Sequence, residues 1–463
     1  MAYCEACVEK EQRIYELEME LQRLKQRLRW QERKAGAGYF GSNTPSAQLP
    51  FKGNSHQVNQ QRQGGGRKGH VGHGRSAISC EEAVRVEQLD GAERCPYCQG
   101  VLEDKGRVER TVLETPEQAL VPTVYQSRKQ WCPRCRKTII AKPPIFSRAL
   151  YGNRLIAHAL VLHFVHGLPC GQIERLWNGQ VLTGSLHRVF HQVAQRWQPA
   201  LETLASDYRK APVKHADETT WRTDGQGGYV WLFCSQRVSL FRFAERRSAQ
   251  VPQVLMGTKR LAGTLLVDRY AAYNRMPCRL QYCYAHLKRD VDEVGKQFPD
   301  QPEVQGFVSL LSPLLGQAMK LRNVDSTDAT FYRRAHHLKN EIISVAMAPA
   351  QHPAILAIQN IFTQQKKRLY HWARDRTIPA DNNRAERELR PTVIARKVSF
   401  GSQSKRGADT RSILMSVLHT AQKRLQARTV KGQSPISVEL WLKQALDSLA
   451  ANPHLKAVDL LPK

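Results

Sequence analysis

From residue 211 onward the apolar residues stop recurring every three or four positions and begin to alternate, which commits this part of the chain to a sheet. V-K-H-A-D, residues 213–217, predicts a first strand. G-Y-V-W-L-F-C-S and V-S-L-F-R-F-A predict a second and a third, joined by a tight turn at Gln236 and Arg237. S-A-Q-V-P-Q-V-L-M-G predicts a helix, and G-T-L-L-V-D a buried fourth strand. In this β-β-β-α-β order one acid, Asp217, stands at the end of the first strand and another, Asp268, at the end of the fourth. Adjacent strands would bring the two carboxylates within reach of a shared pair of divalent ions about 3.5–4 Å apart, the arrangement of a two-metal phosphodiester site. Hard oxygen ligands of this kind suit Mg²⁺ or Mn²⁺. Glu218 adjoins Asp217, but successive strand side chains face opposite ways, so only one of the pair can join such a site. The shorter Asp217 is taken as the ligand and Glu218 as an accessory candidate. A lone aspartate would read as a strand-end cap; two in this strand order favour the site.

A third acid is sought downstream. The run L-Q-Y-C-Y-A-H-L-K-R-D-V predicts a fifth strand entering a helix, with Cys283 and His286 in C-x-x-H spacing but no second pair near them. His286 is an accessory candidate that could steady a phosphate or a water, and a satisfied structural histidine reads equally well. Residues 288–376 read as amphipathic helices with basic faces, a helical insertion before the last element of the core at 377–428. That element opens with D-N-N-R-A-E-R-E-L-R-P, in which Asn383 can cap a helix and place Glu386 at its third position. A capping-box glutamate is the plain reading of Glu386. The functional reading sets it on a helix beside the first strand, completing three carboxylates, while Glu388 points to another face. Pro391 is expected to shorten or kink this helix. Arg384, Arg387, Arg390, Arg396 and Lys397 make the neighbourhood positive, as phosphate binding requires.

The chain ahead of the core is organised in segments. Its formal net charge of +29 implies a polyanionic partner, most simply nucleic acid. Residues 8–34 carry Ile14, Leu17, Leu21, Leu24 and Leu28 at alternating steps of three and four, an a/d seam. In a parallel pair of helices, Arg13–Glu18, Glu20–Lys25 and Arg27–Glu32 would face one another with opposite charge, so a homodimer or higher oligomer is expected. Residues 35–79 are a Gly-, Gln- and Arg-rich linker in which Arg67, Lys68 and Arg75 could lie along phosphates or simply be solvated. Residues 80–142 hold Cys95-Pro-Tyr-Cys98 and Cys132-Pro-Arg-Cys135 around strand-like runs. Four thiolates on two such knuckles predict a closed, structural Zn²⁺ site of ribbon type. Residues 150–207 read as helical, with a helix-turn-helix whose second helix opens near Thr183 or Ser185 and carries His187 and Arg188. That helix could read DNA or act as a connector. Residues 211–287 form the first part of the core and 429–463 a C-terminal tail. The start M-A-Y-C-E-A-C is polar, and the longest apolar stretch, near Leu155 to Val165, is too short to span a bilayer. No membrane contact is expected, and paired cysteines without a disulfide framework point to a reducing compartment, the cytoplasm.

H-A-D-E-T, L-L-V-D-R-Y-A-A-Y, C-Y-A-H-L-K-R and D-N-N-R-A-E-R-E-L-R-P-T-V-I-A-R-K-V-S-F-G-S together resemble the large transposases of the insertion-sequence-66 family. The resemblance spans nearly the whole chain, from leucine-rich coil and basic linker to zinc-binding module, helical region and core. It implies a multidomain α+β protein with a ribonuclease-H-like DDE core interrupted by a helical insertion. Asp217, Asp268 and Glu386 match the family's three acids, and the four knuckle cysteines its zinc module. It also implies a bacterial mobile element with terminal inverted repeats, action on chromosomal DNA in the nucleoid, and accessory transposition proteins. The reaction expected is Mg²⁺-dependent DNA cleavage followed by strand transfer. A DNA-binding repressor without catalysis and a structure-selective nuclease are the alternatives.

Overall fold

In the computed structural model, residues 151–428 and 436–463 are described continuously, and before them only Leu17, Leu120, 123–125, 129–132, 137–140 and 143–146. Apart from Leu17, the expected coil lies outside the described residues. So do the linker with Arg67, Lys68 and Arg75, and three of the four knuckle cysteines, Cys95, Cys98 and Cys135. The fourth, Cys132, ends strand β1 (Lys129–Cys132), which pairs antiparallel with β2 (Lys137–Ile140) so that Cys132 stands opposite Lys137.

The core is a five-stranded mixed sheet. Its strands are β3 (Val213–Thr223), β4 (Gln226–Cys234), β5 (Ser239–Ala244), β6 (Thr264–Val267) and β7 (Arg279–Tyr282). They lie in the order β5-β4-β3-β6-β7. The first three form an antiparallel meander, and β6 and β7 then add to β3 in parallel. The expected strand order holds, with one correction. Asp217 does not end the first strand, because β3 runs on to Thr223, where Thr223 meets Gln226 across the turn. The added length is the polar T-T-W-R-T, held by backbone pairing to β4 rather than by an apolar pattern of its own. β6 is buried at every position, as a central parallel strand should be.

Twelve α-helices surround this sheet among the described residues. Ahead of it come α1 (Asn153–Phe164), α2 (Cys170–Leu176), α3 (Thr183–Trp197) and α4 (Ala200–Lys210). α3 buries Leu186, Val189, Phe190 and Val193, and leaves His187 and Arg188 exposed. After β5 comes α5 (Gln250–Met256), and after β7 comes α6 (Tyr284–Gln297). The region expected to be a helical insertion holds α7 (Pro302–Leu321), α8 (Asp328–Ala346) and α9 (Pro353–Gln364). α10 (Asn383–Ser399) then packs on β3 and β4. It passes through Pro391 without ending, because Leu389, Thr392 and Ala395 are buried on either side of the proline and hold both halves down.

α11 (Lys405–Arg428) covers the outer edge of the sheet. Ser416 Oγ accepts from Phe241 N at 2.9 Å, and Ser412 Oγ donates to Phe241 O at 2.5 Å. Thr420 Oγ1 accepts from Ser239 N at 3.0 Å and donates to Ser239 O at 3.1 Å. Hydroxyls spaced four residues apart thus pair with the free backbone groups of β5, which an unprotected edge would offer to another chain. The expected C-terminal tail carries α12 (Val438–Ala451), which packs on α1. Asn153 Nδ2 donates to Asp447 Oδ1 at 2.8 Å, and the rings of Trp197 and Trp441 lie 5.5 Å apart. No helix among the described residues is long and apolar enough to cross a membrane.

Candidate active site

The parallel pairing of β3 with β6 ends in register at His215 and Leu266, and two residues further along each chain stand Asp217 and Asp268. The first is 2% exposed and the second 3%. Asp217 Oδ1 accepts its neighbour's amide, Glu218 N, at 2.9 Å. Asp268 lies just past β6 and turns the chain: its Oδ1 accepts from Tyr270 N at 2.9 Å. Its Oδ2 is buried without a hydrogen bond, 3.9 Å from Arg247 Nη2. Burial pushes the Asp268 carboxyl up to about 7 and the charge of Glu218 pushes the same way, while the Tyr270 amide, Arg247 and Arg269 oppose both.

Glu218 is fully buried and tied down. Arg247 donates to its Oε1 through Nε at 2.8 Å and Nη2 at 2.5 Å, and the Tyr273 hydroxyl donates to Oε2. Arg247 in turn lies 3.8 Å over the Tyr270 ring. Glu218 is therefore the anchor of an arginine that also faces Asp268. The sequence singled out Glu218 but gave no hint of Arg247, which lies 29 residues away in a run of charged residues resembling ordinary surface.

The third acid arrives through Asn382. Its Oδ1 accepts from His215 Nδ1 at 2.8 Å, its Nδ2 donates to Ala216 O at 2.8 Å, and its N donates to Cys283 Sγ at 3.1 Å. One side chain thus fastens the start of α10 to β3 immediately before Asp217, and its amide fastens it to the start of α6. The expected cap is corrected accordingly. The capping position is Asn382 rather than Asn383, its side chain bonds to β3 and not to the helix, and Glu386 is the fourth helical residue, so no capping box forms. Glu386 instead stands 3.8 Å from His286 Nδ1 and 3.7 Å from Arg289 Nη2, with Oε1 buried and without a hydrogen bond. Burial raises its pKa, Arg289 lowers it, and Asp381 raises it again.

Both ring nitrogens of His286 are buried without partners, and burial, Arg289 and Arg269 hold its pKa down at about 3. Cys283 is pushed up to about 12 by burial and by Glu386. Cys283, His286 and Glu386 are the one group of metal-ligating side chains whose donor atoms all lie within 4.8 Å of one another among the described residues. The three carboxylates therefore stand on adjoining elements without closing on one another. Asp268 leans toward Arg247, and Glu386 toward His286 and Arg289.

Around this centre, Arg387, Arg390 and Lys397 are exposed on α10. Arg396 is half-buried, and its Nη1 donates to Thr219 Oγ1 at 3.0 Å and to Thr220 O at 2.8 Å, which makes it a strut between α10 and β3. Glu388 accepts from Ser239 Oγ at 2.8 Å and pairs with Lys423 Nζ at 2.6 Å, on the face away from Glu386.

Comparison with known proteins agrees with this architecture. Residues 148–410 match the transposase IS66 family. A relative, the uncharacterized protein y4jD of Sinorhizobium fredii, is 24% identical over 406 residues, a match covering 77% of this chain and 75% of the relative. The family match takes in every strand of the five-stranded sheet and all three acids, and on that ground the chain belongs to the IS66 family of transposases.

Proposed function

We propose that this chain cuts the ends of a bacterial insertion sequence and joins them to target DNA at a site formed by Asp217, Asp268 and Glu386. The observation that carries the reading is a pair of buried carboxylate oxygens, Asp268 Oδ2 and Glu386 Oε1, that have no hydrogen bond and flank the strand bearing Asp217. A buried acid with an unsatisfied oxygen is costly unless a cation completes it. Three oxygen donors fit Mg²⁺ or Mn²⁺, which when bound supplies a water of lowered pKa and takes up charge on the phosphate oxygens.

The chain's own residues do the rest. Asn382 sets the start of the Glu386 helix against β3. Arg247, held by Glu218, keeps Asp268 from repelling its neighbours before substrate arrives. His286, 3.8 Å from Glu386, would steady the carboxylate or a phosphate oxygen. The exposed Arg387, Arg390 and Lys397 would take DNA phosphates, and so would Arg188 on α3, the second helix of a helix-turn-helix. Cys132, which ends β1 opposite Lys137, would hold a structural Zn²⁺ together with Cys95, Cys98 and Cys135. The leucine seam would pair protomers, and element-encoded accessory proteins would act on the same DNA in the cytoplasm.

The test uses the full chain and duplexes carrying the element's own ends. Mg²⁺-dependent nicking that falls to background in Asp268→Asn, with DNA binding retained, is the expected result. Undiminished cutting by Asp268→Asn would remove the carboxylate site. Hydrolysis without joining of pre-cut ends would leave a nuclease, and binding without cutting a repressor.

A further inference from the structure

Phe400 occupies a position that a protein chain ordinarily gives to glycine or asparagine. It follows the last turn of α10 in the left-handed conformation, φ 60° and ψ −3°, and its N–H donates to Arg396 O at 2.9 Å. That geometry closes a helix well, but a bulky residue there is strained. Burial does not compensate, because Phe400 is 71% exposed.

The chain beneath the ring is tied down by close contacts. Gly401 has φ 136°, and a Cβ at that position would lie 2.2 Å from Arg222 O, so the chain passes hard against the end of β3. Ser402 N donates to Arg222 O at 2.9 Å, Asp224 N donates to Ser402 O at 2.9 Å, and Trp221 Nε1 donates to Ser402 Oγ at 3.1 Å. Strain held in place by its surroundings, with the strained side chain turned to solvent, is the pattern of a ligand clamp.

The rest of α10 indicates the ligand. Glu386, Arg390, Ile394 and Val398 recur every four residues and so lie along one side of the helix, with Arg387 and Lys397 beside them. Arg387, Arg390, Ile394, Lys397 and Val398 are exposed. This face runs from the acid of the proposed site to Phe400, roughly 21 Å at 1.5 Å per residue. That is about six steps of a DNA strand at 3.4 Å each. Positive charge interleaved with apolar side chains and ending in an aromatic ring is complementary to a strand whose phosphates face the arginines and whose base meets the ring.

We infer that Phe400 is a base-stacking residue: the DNA strand cut at Glu386 runs along α10, and Phe400 stacks on a base drawn out of the duplex about six nucleotides from the scissile phosphate. The inference rests on the transposase reading, and it names the part of the substrate that this end of the helix holds.

The experiment scans 2-aminopurine through the first ten nucleotides of an element end bound by the full chain. One position near the sixth is expected to change fluorescence on binding. Phe400→Ala should abolish that change and lower cutting roughly tenfold, the scale of one base–aromatic stack. Phe400→Trp should keep both, and a mismatch at the responsive position should restore cutting by the alanine variant. Phe400→Asn relieves the left-handed strain, so it should raise the melting temperature while losing the fluorescence change, the reverse of what a structural phenylalanine would do. Cutting and fluorescence unaltered in Phe400→Ala would overturn the inference and leave the transposase reading intact. So would variants that change only the oligomeric mass, which would make the apolar face a contact between copies. Failure of the wild-type chain to bind its own ends at all would overturn both.

Discussion

His163 shows how far burial can fix the chemistry of a single side chain in this protein. Its Nδ1 lies 2.7 Å from Leu168 O, an acceptor, and its Nε2 lies 3.0 Å from Arg411 Nη2, a donor. The partners leave one arrangement, a neutral ring with its proton on Nδ1. Burial first, and Arg411 next, hold its pKa down at about 3. His215, whose Nδ1 donates to Asn382 beside Asp217, is held at about 3 by the same desolvation. A histidine depressed in the folded state is neutral there while the unfolded chain takes up protons. Its contribution is present above the unfolded value of about 6.5 and is lost as pH falls from there toward 3, at about 1.4 kcal/mol per pH unit for each ring. Denaturant melts should therefore show stability falling steeply from pH 6.5 to 5, and His163→Gln should flatten part of that slope. An unchanged slope would mean that the ring is not held neutral. Asp268 and Glu386 follow the same physics with the opposite sign of charge, and each leans on the nearest arginine.

At the scale of elements, the edge of the sheet is where the fold is most exposed to error. β5 is one of the two edge strands, and its free backbone groups at Ser239 and Phe241 are satisfied by Ser412, Ser416 and Thr420 of α11 rather than by another strand. Losing one hydroxyl leaves a buried amide or carbonyl unpaired, at about 1–3 kcal/mol. Ser416→Ala should thus cost about that much by chemical denaturation, and the triple variant with Ser412→Ala and Thr420→Val should aggregate on heating where wild type refolds. A triple variant as soluble and reversible as wild type would mean that the ladder does not guard the edge. The same elements show what was legible beforehand. β4, β5 and β6 could be read because apolar alternation and one apolar run marked them, and their order put Asp217 and Asp268 on neighbouring strands. The extension of β3 to Thr223 could not be read, since T-T-W-R-T has no apolar pattern and is held by pairing with β4 and by hydrogen bonds to Arg396 and Ser402. Nor could the course of α10 through Pro391, because buried neighbours override the local penalty. The meeting of His286 with Glu386 joins residues 100 positions apart, and Arg247 looked like surface charge; both depend on tertiary packing that spacing along a chain does not carry.

The whole molecule carries a net charge of +29, yet its buried acids among the described residues gather at the centre of the sheet. Asp217, Glu218 and Asp268 sit buried near the centre of the sheet, while Arg387, Arg390 and Lys397 face solvent on the helix beside them. On the proposed reading, such a division of charge would let the exposed basic residues gather DNA electrostatically and would reserve Asp217 and Asp268 for cations at the reacting phosphate. The two functions should then separate in their response to salt. Affinity for duplex DNA should fall linearly with the logarithm of salt concentration, with a slope of about −0.9 for each phosphate neutralised. Arg390→Gln should reduce that slope by about 1 and weaken binding alike on element ends and unrelated duplexes. Asp268→Asn should leave the slope as it is, because the carboxylate releases no counterion from DNA, even as it removes cutting. Fluorescence anisotropy across a salt series for the three proteins decides the matter. If Arg390→Gln left the slope unchanged, α10 would not be lying along phosphates, and a path for the strand from Glu386 toward Phe400 would have to be sought on another face of the core.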